Sequence, residues 1–185
     1  MAETSRSKKA GCSMARRAVA AIAALGVVGV ITGCSGSHDK KEYDAPRALC
    51  GIPVNPDLLS PFLPSGKKIE IEETRPVPSR KSCRVDVDGK WAIAANSEWW
   101  RDDVSSTTVA SANPQLRKAQ LSPDGNYYSG TGSVTLVKGC KNSDHSRQLL
   151  YTSLQISNPD LGDTPAMKKL ATAYTEAVGR SDECS

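Results

Sequence analysis

The cysteines of this chain are the residues with the most distinctive chemistry, because a cysteine can form a disulfide, bind a metal or carry a lipid. Six are present, at positions 12, 34, 50, 83, 140 and 184. No two of them form a CxxC pair, and the only histidines are His38 and His145. Structural zinc sites use four cysteine or histidine ligands with short spacings. The sequence therefore predicts no metal site and no cofactor.

The first two cysteines lie in or beside a segment with the composition of a secretion signal. Arg16 and Arg17 precede an uncharged run over residues 18–32. A positive flank followed by a short apolar run is typical of a secretory signal peptide. The run is shorter than the roughly 20 apolar residues that a membrane-spanning helix needs. We expect a signal peptide over residues 1–33, beginning at Met14 if that residue is the true start.

The end of this run resembles the lipobox of bacterial lipoproteins. Ile31-Thr32-Gly33-Cys34 has an aliphatic residue, two small residues and then the cysteine. The resemblance implies that the Cys34 sulfur takes a diacylglyceryl group, with acyl chains such as palmitate, and becomes the mature N-terminus. Two acyl chains hold a protein stably on a membrane, whereas one binds marginally. We expect a lipid anchor on the extracytoplasmic face of the cell membrane. The alternative is an ordinary signal peptide cut elsewhere, with Cys34 incidental.

Four cysteines remain beyond Cys34, and an even number in an oxidising compartment predicts two disulfides. Three pairings are possible. We favour Cys50–Cys83 and Cys140–Cys184, because each pair would tie the edge of a segment to a nearby strand. Each bridge would close a loop of roughly 35 to 45 residues and contribute about 4 kcal/mol to the free energy of unfolding.

The positive charge of the whole chain belongs to the signal segment. The chain has 24 basic and 20 acidic residues, and residues 1–33 hold five of the basic residues and one of the acidic residues. The expected mature chain therefore has 19 of each and a net charge near zero. A nucleic-acid partner needs a concentrated basic face, so we expect none.

Alternating side chains predict an antiparallel sheet. Residues 67–73 alternate, with Ile69 and Ile71 on one face of a half-buried strand. Residues 82–96 form two alternating runs around Asp88-Gly89, a strong hairpin signal because both turn positions need positive φ. Further strands are expected over residues 132–137 and 148–157, and residues 104–110 are also rich in types that favour strands.

The C-terminal part has the pattern of an amphipathic helix. Asp163 can cap its start, and Pro165 lies in the first turn. Apolar residues then recur every three or four positions up to Val178. The predicted fold class is α+β, with this helix packed on one face of the antiparallel sheet. We expect a signal peptide (1–33), a lipidated cysteine with a polar tether (34–47) and a single domain (48–185).

Two adjacent tryptophans, Trp99 and Trp100, are the candidate binding residues. Neighbouring side chains on a strand point to opposite faces, so one indole could be exposed and serve as a binding anchor. The alternative is that a helix or an irregular turn buries both.

The acidic residues of the predicted strands could share one sheet face, with Arg84 as their balance. They are Glu70, Glu72, Asp86 and Asp88. The segment from Asp86 to Gly89 superficially resembles a calcium loop, but its glycine directly follows the second aspartate and the ligand spacing fails. A salt-bridged solvent face is the favoured interpretation.

Motifs for nucleotide binding and hydrolysis are absent from the sequence: it has no Walker A loop, GxGxxG, HExxH or GxSxG. This favours a non-enzymatic, surface-tethered domain that binds a protein or a small ligand in the envelope. The alternatives are a cell-wall hydrolase with dispersed residues and an accessory subunit of an envelope complex. The layout of lipobox, polar tether, two early cysteines and two late ones resembles the small cysteine-paired lipoproteins of actinobacterial envelopes.

Overall fold

A computed structural model of the chain describes residues 40–113, 116 and 118–184. The predicted signal peptide, the lipidation of Cys34 and residues 35–39 of the tether lie outside the described residues. The helices are α1 (Pro56–Leu59), α2 (Ser106–Ser111) and α3 (Thr164–Val178). The strands are β1 (Ala48–Leu49), β2 (Ile52–Pro53), β3 (Ile69–Val77), β4 (Arg80–Val87), β5 (Lys90–Arg101), β6 (Gln120–Leu121), β7 (Tyr127–Ser129), β8 (Gly132–Leu136) and β9 (Gln148–Ile156). In this part of the chain, we find no helix with the length and apolar character needed to cross a membrane.

Seven strands form one antiparallel sheet in the order β3-β4-β5-β9-β8-β7-β6, and β1 and β2 form a separate small hairpin. The predicted α+β class is confirmed, with α3 packed against one face of the sheet. The long strands β5 and β9 pair along nine residues in the middle of the sheet. The later strands β8, β7 and β6 continue it on the far side of β9.

The predicted β4–β5 hairpin is present, with Asp88 and Gly89 in its turn. Asp88 has a φ of 50° and Gly89 a φ of 72°, the left-handed conformation that a tight hairpin turn demands at both positions. The Asp88 carboxylate also accepts backbone N–H bonds from Lys67 (3.1 Å) and Lys68 (2.8 Å). Asp88 therefore stabilises this turn and does not lie on the sheet face with the other predicted carboxylates.

The main core lies between one face of the sheet and α3. The predicted apolar face of α3 is buried there, through Met167, Leu170, Ala171, Tyr174, Ala177 and Val178. The hairpin β1–β2, the helix α1 and the 3₁₀ turn that follows close the core with Leu49, Leu59 and Phe62, all at most 1% exposed. Burying a large apolar side chain stabilises the fold by about 1.5–3 kcal/mol.

A second, smaller core covers part of the opposite sheet face. Residues 104–110 have a composition that favours a strand, but Ser106–Ser111 forms the helix α2 instead. The Ser105 hydroxyl caps this helix by accepting the Thr108 N–H at 3.3 Å. Val109 and Ala110 then pack with Val134 of β8 and Tyr151 of β9. This tertiary contact outweighs the weak strand preference of β-branched residues.

The edge strand β3 is more exposed than predicted. Ile69 packs against the main core, but Ile71 is 40% exposed. Its partner on β4 is Val85, which is fully buried. The main core therefore covers β4 and reaches only the start of β3, because β3 has a neighbour on one side only.

Both predicted disulfides are confirmed: Cys50–Cys83 and Cys140–Cys184, with Cα–Cα separations of 5.7 and 4.9 Å. The first joins the β1–β2 turn to β4, and the second joins the segment after β8 to the 3₁₀ turn at Asp182–Cys184. Four charged side chains, Glu73, Arg75, Lys81 and Glu183, form an ion-pair network between β3, β4 and this C-terminal turn.

Candidate functional site

The two adjacent tryptophans occupy opposite faces of β5, as strand geometry requires. Trp99 is 5% exposed and belongs to the main core. Trp100 is half-buried and packs against the smaller core, beside Leu149 of β9. Both indoles pack within the domain because this end of the sheet has an apolar cluster on each face. A binding role for either one stays a prediction.

His145 covers one face of the Trp99 ring. The two rings are stacked, with centroids 4.4 Å apart and an interplanar angle of 9°. The His145 Nδ1 hydrogen-bonds to the Gln148 side chain. A shallow depression beside them is lined by Asp102, Asp103, Asp144 and nearby loop residues. A partner could reach the Trp99 ring only by displacing His145.

Three of the four carboxylates predicted to share a sheet face do so, Glu70, Glu72 and Asp86, whereas Asp88 lies in the hairpin turn. Glu70 lies opposite Asp86, and Glu72 lies opposite Arg84. Arg84 binds Asp86 at 2.7 Å, and Lys68 binds Glu70 at 2.7 Å. In residues 40–113, 116 and 118–184, we find no cluster of three or more His, Cys, Asp and Glu side chains that could hold a metal ion.

A candidate site with a buried, unpartnered polar group in its lining is a groove between α3 and the β7–β8 side of the sheet, which we call the α3–β8 groove. Its volume is about 440 Å³, within the range of small-molecule sites. The walls are formed by Thr172, Thr175, Glu176, Gly179 and Arg180 from α3 and its C-terminal end, and by Tyr128, Thr135, Leu136, Val137 and Lys138 from β7, β8 and the residues that follow. Asp124 and Asn126 enter from the β6–β7 turn.

The α3 wall of the groove is polar because α3 has two stripes. Its apolar stripe faces the main core, whereas Lys168, Thr172, Thr175, Glu176 and Gly179 recur at three- and four-residue spacings on a neighbouring face. From Thr172 to Gly179 the wall runs about 10 Å along the helix axis. Gly179 ends α3 in a right-handed conformation with φ −63°. A Cβ at this position would lie 3.3 Å from Val137, so the missing side chain keeps this end of the helix close to β8.

Three buried threonines lie where α3 meets β8 and β9. The Thr152 hydroxyl is 2.6 Å from the Thr175 hydroxyl and donates to the Thr135 carbonyl at 3.4 Å. The Thr135 hydroxyl is different: it is buried and has no hydrogen-bond partner among the described residues. Thr135 is only 5% exposed and still lines the groove. An unpaired buried hydroxyl costs about 1–3 kcal/mol, so it is a notable feature of this site.

Asn126 supplies a second polar group to the groove. It is 6% exposed, and its Oδ1 accepts the Leu136 backbone N–H at 3.0 Å. That bond orients the amide. No hydrogen bond donated by Nδ2 is found among the described residues, and Asn126 lines the groove.

An ion pair forms one end of the groove. Lys168 Nζ lies 3.2 Å from the Asp124 carboxylate and 5.1 Å from the centre of the Tyr128 ring. Burial by itself would raise the pKa of Asp124, but the Asn126 N–H and the Lys168 ammonium outweigh it and hold that pKa below its usual value. The Asp124 carboxylate is therefore ionised at neutral pH and already paired.

A second cleft of about 450 Å³ lies on the other side of this ion pair. Lys168 and Tyr128 also line this cleft, together with Ser122, Ser129, Thr131 and Thr164. The Asp124–Lys168 pair over Tyr128 thus separates two neighbouring concavities at the β6–β8 end of the sheet.

Sequence reasoning missed this site. Residues 122–125 form a turn, with Gly125 at φ 83°. Its position beside α3 follows from β7 joining the sheet next to β8. The polar stripe of α3 was a signal in the sequence, since it adjoins the apolar one. The sequence did not indicate that the Thr135 hydroxyl would lack a hydrogen-bond partner, because its neighbours in strand β8 do not determine which groups from other strands and helices come near it.

Comparison with known proteins returned no similar protein: no family model, no curated protein and no solved structure matches this chain.

Proposed function

We propose that this protein is a lipid-anchored envelope protein whose single domain binds a small polar molecule in the α3–β8 groove. The anchor part of the proposal is supported by the lipobox-like sequence Ile31-Thr32-Gly33-Cys34. The two disulfides agree with an oxidising compartment. The binding part is supported chiefly by one observation: Thr135 lines the groove, and its hydroxyl is buried and has no hydrogen-bond partner among the described residues.

A bound molecule would account for the Thr135 hydroxyl. Buried polar groups in proteins are nearly always hydrogen-bonded to protein, water or a ligand. Specific sites combine apolar walls with a few well-placed polar groups. The groove has this make-up, with Tyr128, Leu136 and Val137 beside Thr135 and Asn126.

The anchor is tested by replacing Cys34 with serine and fractionating the cells. We expect the variant to leave the membrane fraction, because it has no sulfur for the diacylglyceryl group. The matched control is Ser35→Ala, which changes the residue after the cysteine, keeps the Cys34 sulfur and should leave the protein on the membrane. Retention of the Cys34→Ser protein on the membrane would rule out the lipoprotein interpretation.

The binding site is tested by filling it. Thr172 is exposed on the groove wall, so Thr172→Trp should occupy the groove without disturbing the core. Lys169→Trp is the control, on the same helix but outside the lining. A library of small polar molecules, screened by ligand-observed NMR, should give hits that Thr172→Trp abolishes and Lys169→Trp keeps. Hits that both variants bind equally well would place the site elsewhere.

A further inference from the structure

The polar groups of the α3–β8 groove are mostly donors and cations, which restricts the ligand chemistry. The Asn126 Nδ2 is a donor with no partner within the described residues, and the Thr135 hydroxyl can donate as well. The Asp124 carboxylate, in contrast, already accepts bonds from Lys168 and from the Asn126 backbone N–H. A ligand with oxygen acceptors would therefore best match the hydrogen-bond donors that line this groove.

Two cations lie at the groove end opposite the Asp124–Lys168 pair. Lys138 follows β8, and Arg180 follows α3. Both are exposed, and neither makes an ion pair with another described residue. Glu176, on the helical wall, is the one lining carboxylate without an ion pair in the described part of the chain. Among the residues that line the groove, this end therefore has two cations and one anion; Asp182, two residues after Arg180, lines a different cleft.

The spacing of these groups sets the length of a matching ligand. Thr135 and Lys138 are three residues apart along nearly extended chain, which corresponds to about 10 Å between their Cα atoms. The flexible side chains of Lys138 and Arg180 can shorten that distance. An N-acylated dipeptide spans about 7 Å between its acyl carbonyl and its carboxylate. Its carbonyl oxygens would then lie near Thr135 and Asn126 while its carboxylate lies near the cations.

We infer that the α3–β8 groove takes a small organic carboxylate with carbonyl acceptors along an apolar body, of the kind found in an N-acylated peptide with a free C-terminus. This inference rests on the proposed binding function of the groove and adds the ligand class. Arginine is well suited to this role, because its planar guanidinium can bind a carboxylate through two parallel hydrogen bonds. The peptide N–H groups would face Glu176.

The test is an NMR titration of the ¹⁵N-labelled full chain in detergent with N-acetyl-alanyl-alanine and, separately, with its C-terminal amide. The acid should bind with a dissociation constant on the order of 1 mM, the range for a ligand of this size. Its amide shift changes should centre on Asn126, Thr135 and Glu176. The uncharged analogue should bind at least tenfold more weakly, because a hydrogen bond to a charged group is lost.

Variants test separately the recognition of the ligand's carboxylate by Arg180 and the contact of its carbonyl groups with Thr135. Arg180→Gln should weaken binding of the acid severalfold and reduce its preference over the amide, because only Lys138 remains to face the carboxylate. Thr135→Val should weaken both probes equally, because it removes a contact that they share. Lys169→Gln, which removes a charge outside the groove lining, should change neither.

Three results would overturn the inference: equal binding of the acid and the amide, shift changes centred outside the groove, or no binding of either probe. None of these decides the proposed function, because the Thr172→Trp screen tests groove binding with molecules of any class. A groove that binds neutral molecules in that screen but not the acid would contradict the ligand class and leave the binding function standing.

Discussion

Replacing Thr135 with valine should leave the domain as stable as before or more stable, although the residue is 5% exposed. Valine has nearly the shape of threonine, so no cavity forms. The hydroxyl that is lost has no partner among the described residues, and an unpaired buried hydroxyl costs about 1–3 kcal/mol. Solvent in the groove can offset part of that cost. We therefore expect the free energy of unfolding to rise by about 0–2 kcal/mol.

The matched substitution is Thr152→Val. Thr152 lies directly opposite Thr135 in the β8–β9 pair, so strand preference and side-chain shape change in the same way. Its hydroxyl bonds to the Thr175 hydroxyl and the Thr135 carbonyl. Removing it leaves the buried Thr175 hydroxyl without this partner, so we expect a loss of about 1–2 kcal/mol.

Urea unfolding at neutral pH, with the disulfides intact, measures the free energy of unfolding of both variants. Their m-values should be the same as that of the parent chain. A Thr135→Val variant that is destabilised by more than about 1 kcal/mol would refute the reasoning, because the hydroxyl would then have a stabilising partner. Equal effects of the two substitutions would refute it as well.

Two further predictions concern stability. Replacing Cys140 and Cys184 together by alanine should lower the free energy of unfolding by about 4 kcal/mol, since the bridge closes a loop with a sequence separation of 44. Urea unfolding of the variant measures this loss. A loss below about 1 kcal/mol would contradict the prediction. Burial, and then the charges of Glu183 and Glu73, raise the pKa of Tyr174 above its ordinary 10.0. Above pH 10 the Tyr174 phenol ionises more readily in the unfolded chain than in the folded one. Its contribution to stability is therefore present below pH 10 and is lost as the pH rises above that value. Tyr174→Phe should therefore lose less stability than the parent chain between about pH 9 and pH 11, and parallel declines of the two proteins would argue against this linkage.

Local patterns predicted the parts of the fold that depend on neighbouring residues. The Asp88-Gly89 turn follows from two positions that need positive φ, and the α3 helix follows from its cap and its apolar stripe. The disulfide pairing was also predicted correctly among three choices, because each bridge joins segments that the predicted strands place close together.

Residues 104–110 and Ile71 show where local patterns stopped being sufficient. The first segment contains a helix because Val109 and Ala110 meet Val134 and Tyr151, which are distant in sequence. Ile71 is exposed because β3 ended up at the edge of the sheet. Alternation indicates which side chains share a face, but it does not indicate whether anything covers that face.

The sequence alone determined the alternation of the strands, the turn at Asp88-Gly89, the amphipathic helix and the even set of domain cysteines, because each depends on residues a few positions apart. Only the tertiary structure decided that Trp99 and Trp100 pack into separate cores, since this required an apolar cluster on both faces of the sheet. It also decided that the Thr135 hydroxyl, at the α3–β8 groove, has no hydrogen-bond partner in the described part of the chain. Hydrogen-bond partners and concave surfaces arise from strand order and helix placement, which join residues far apart in the chain.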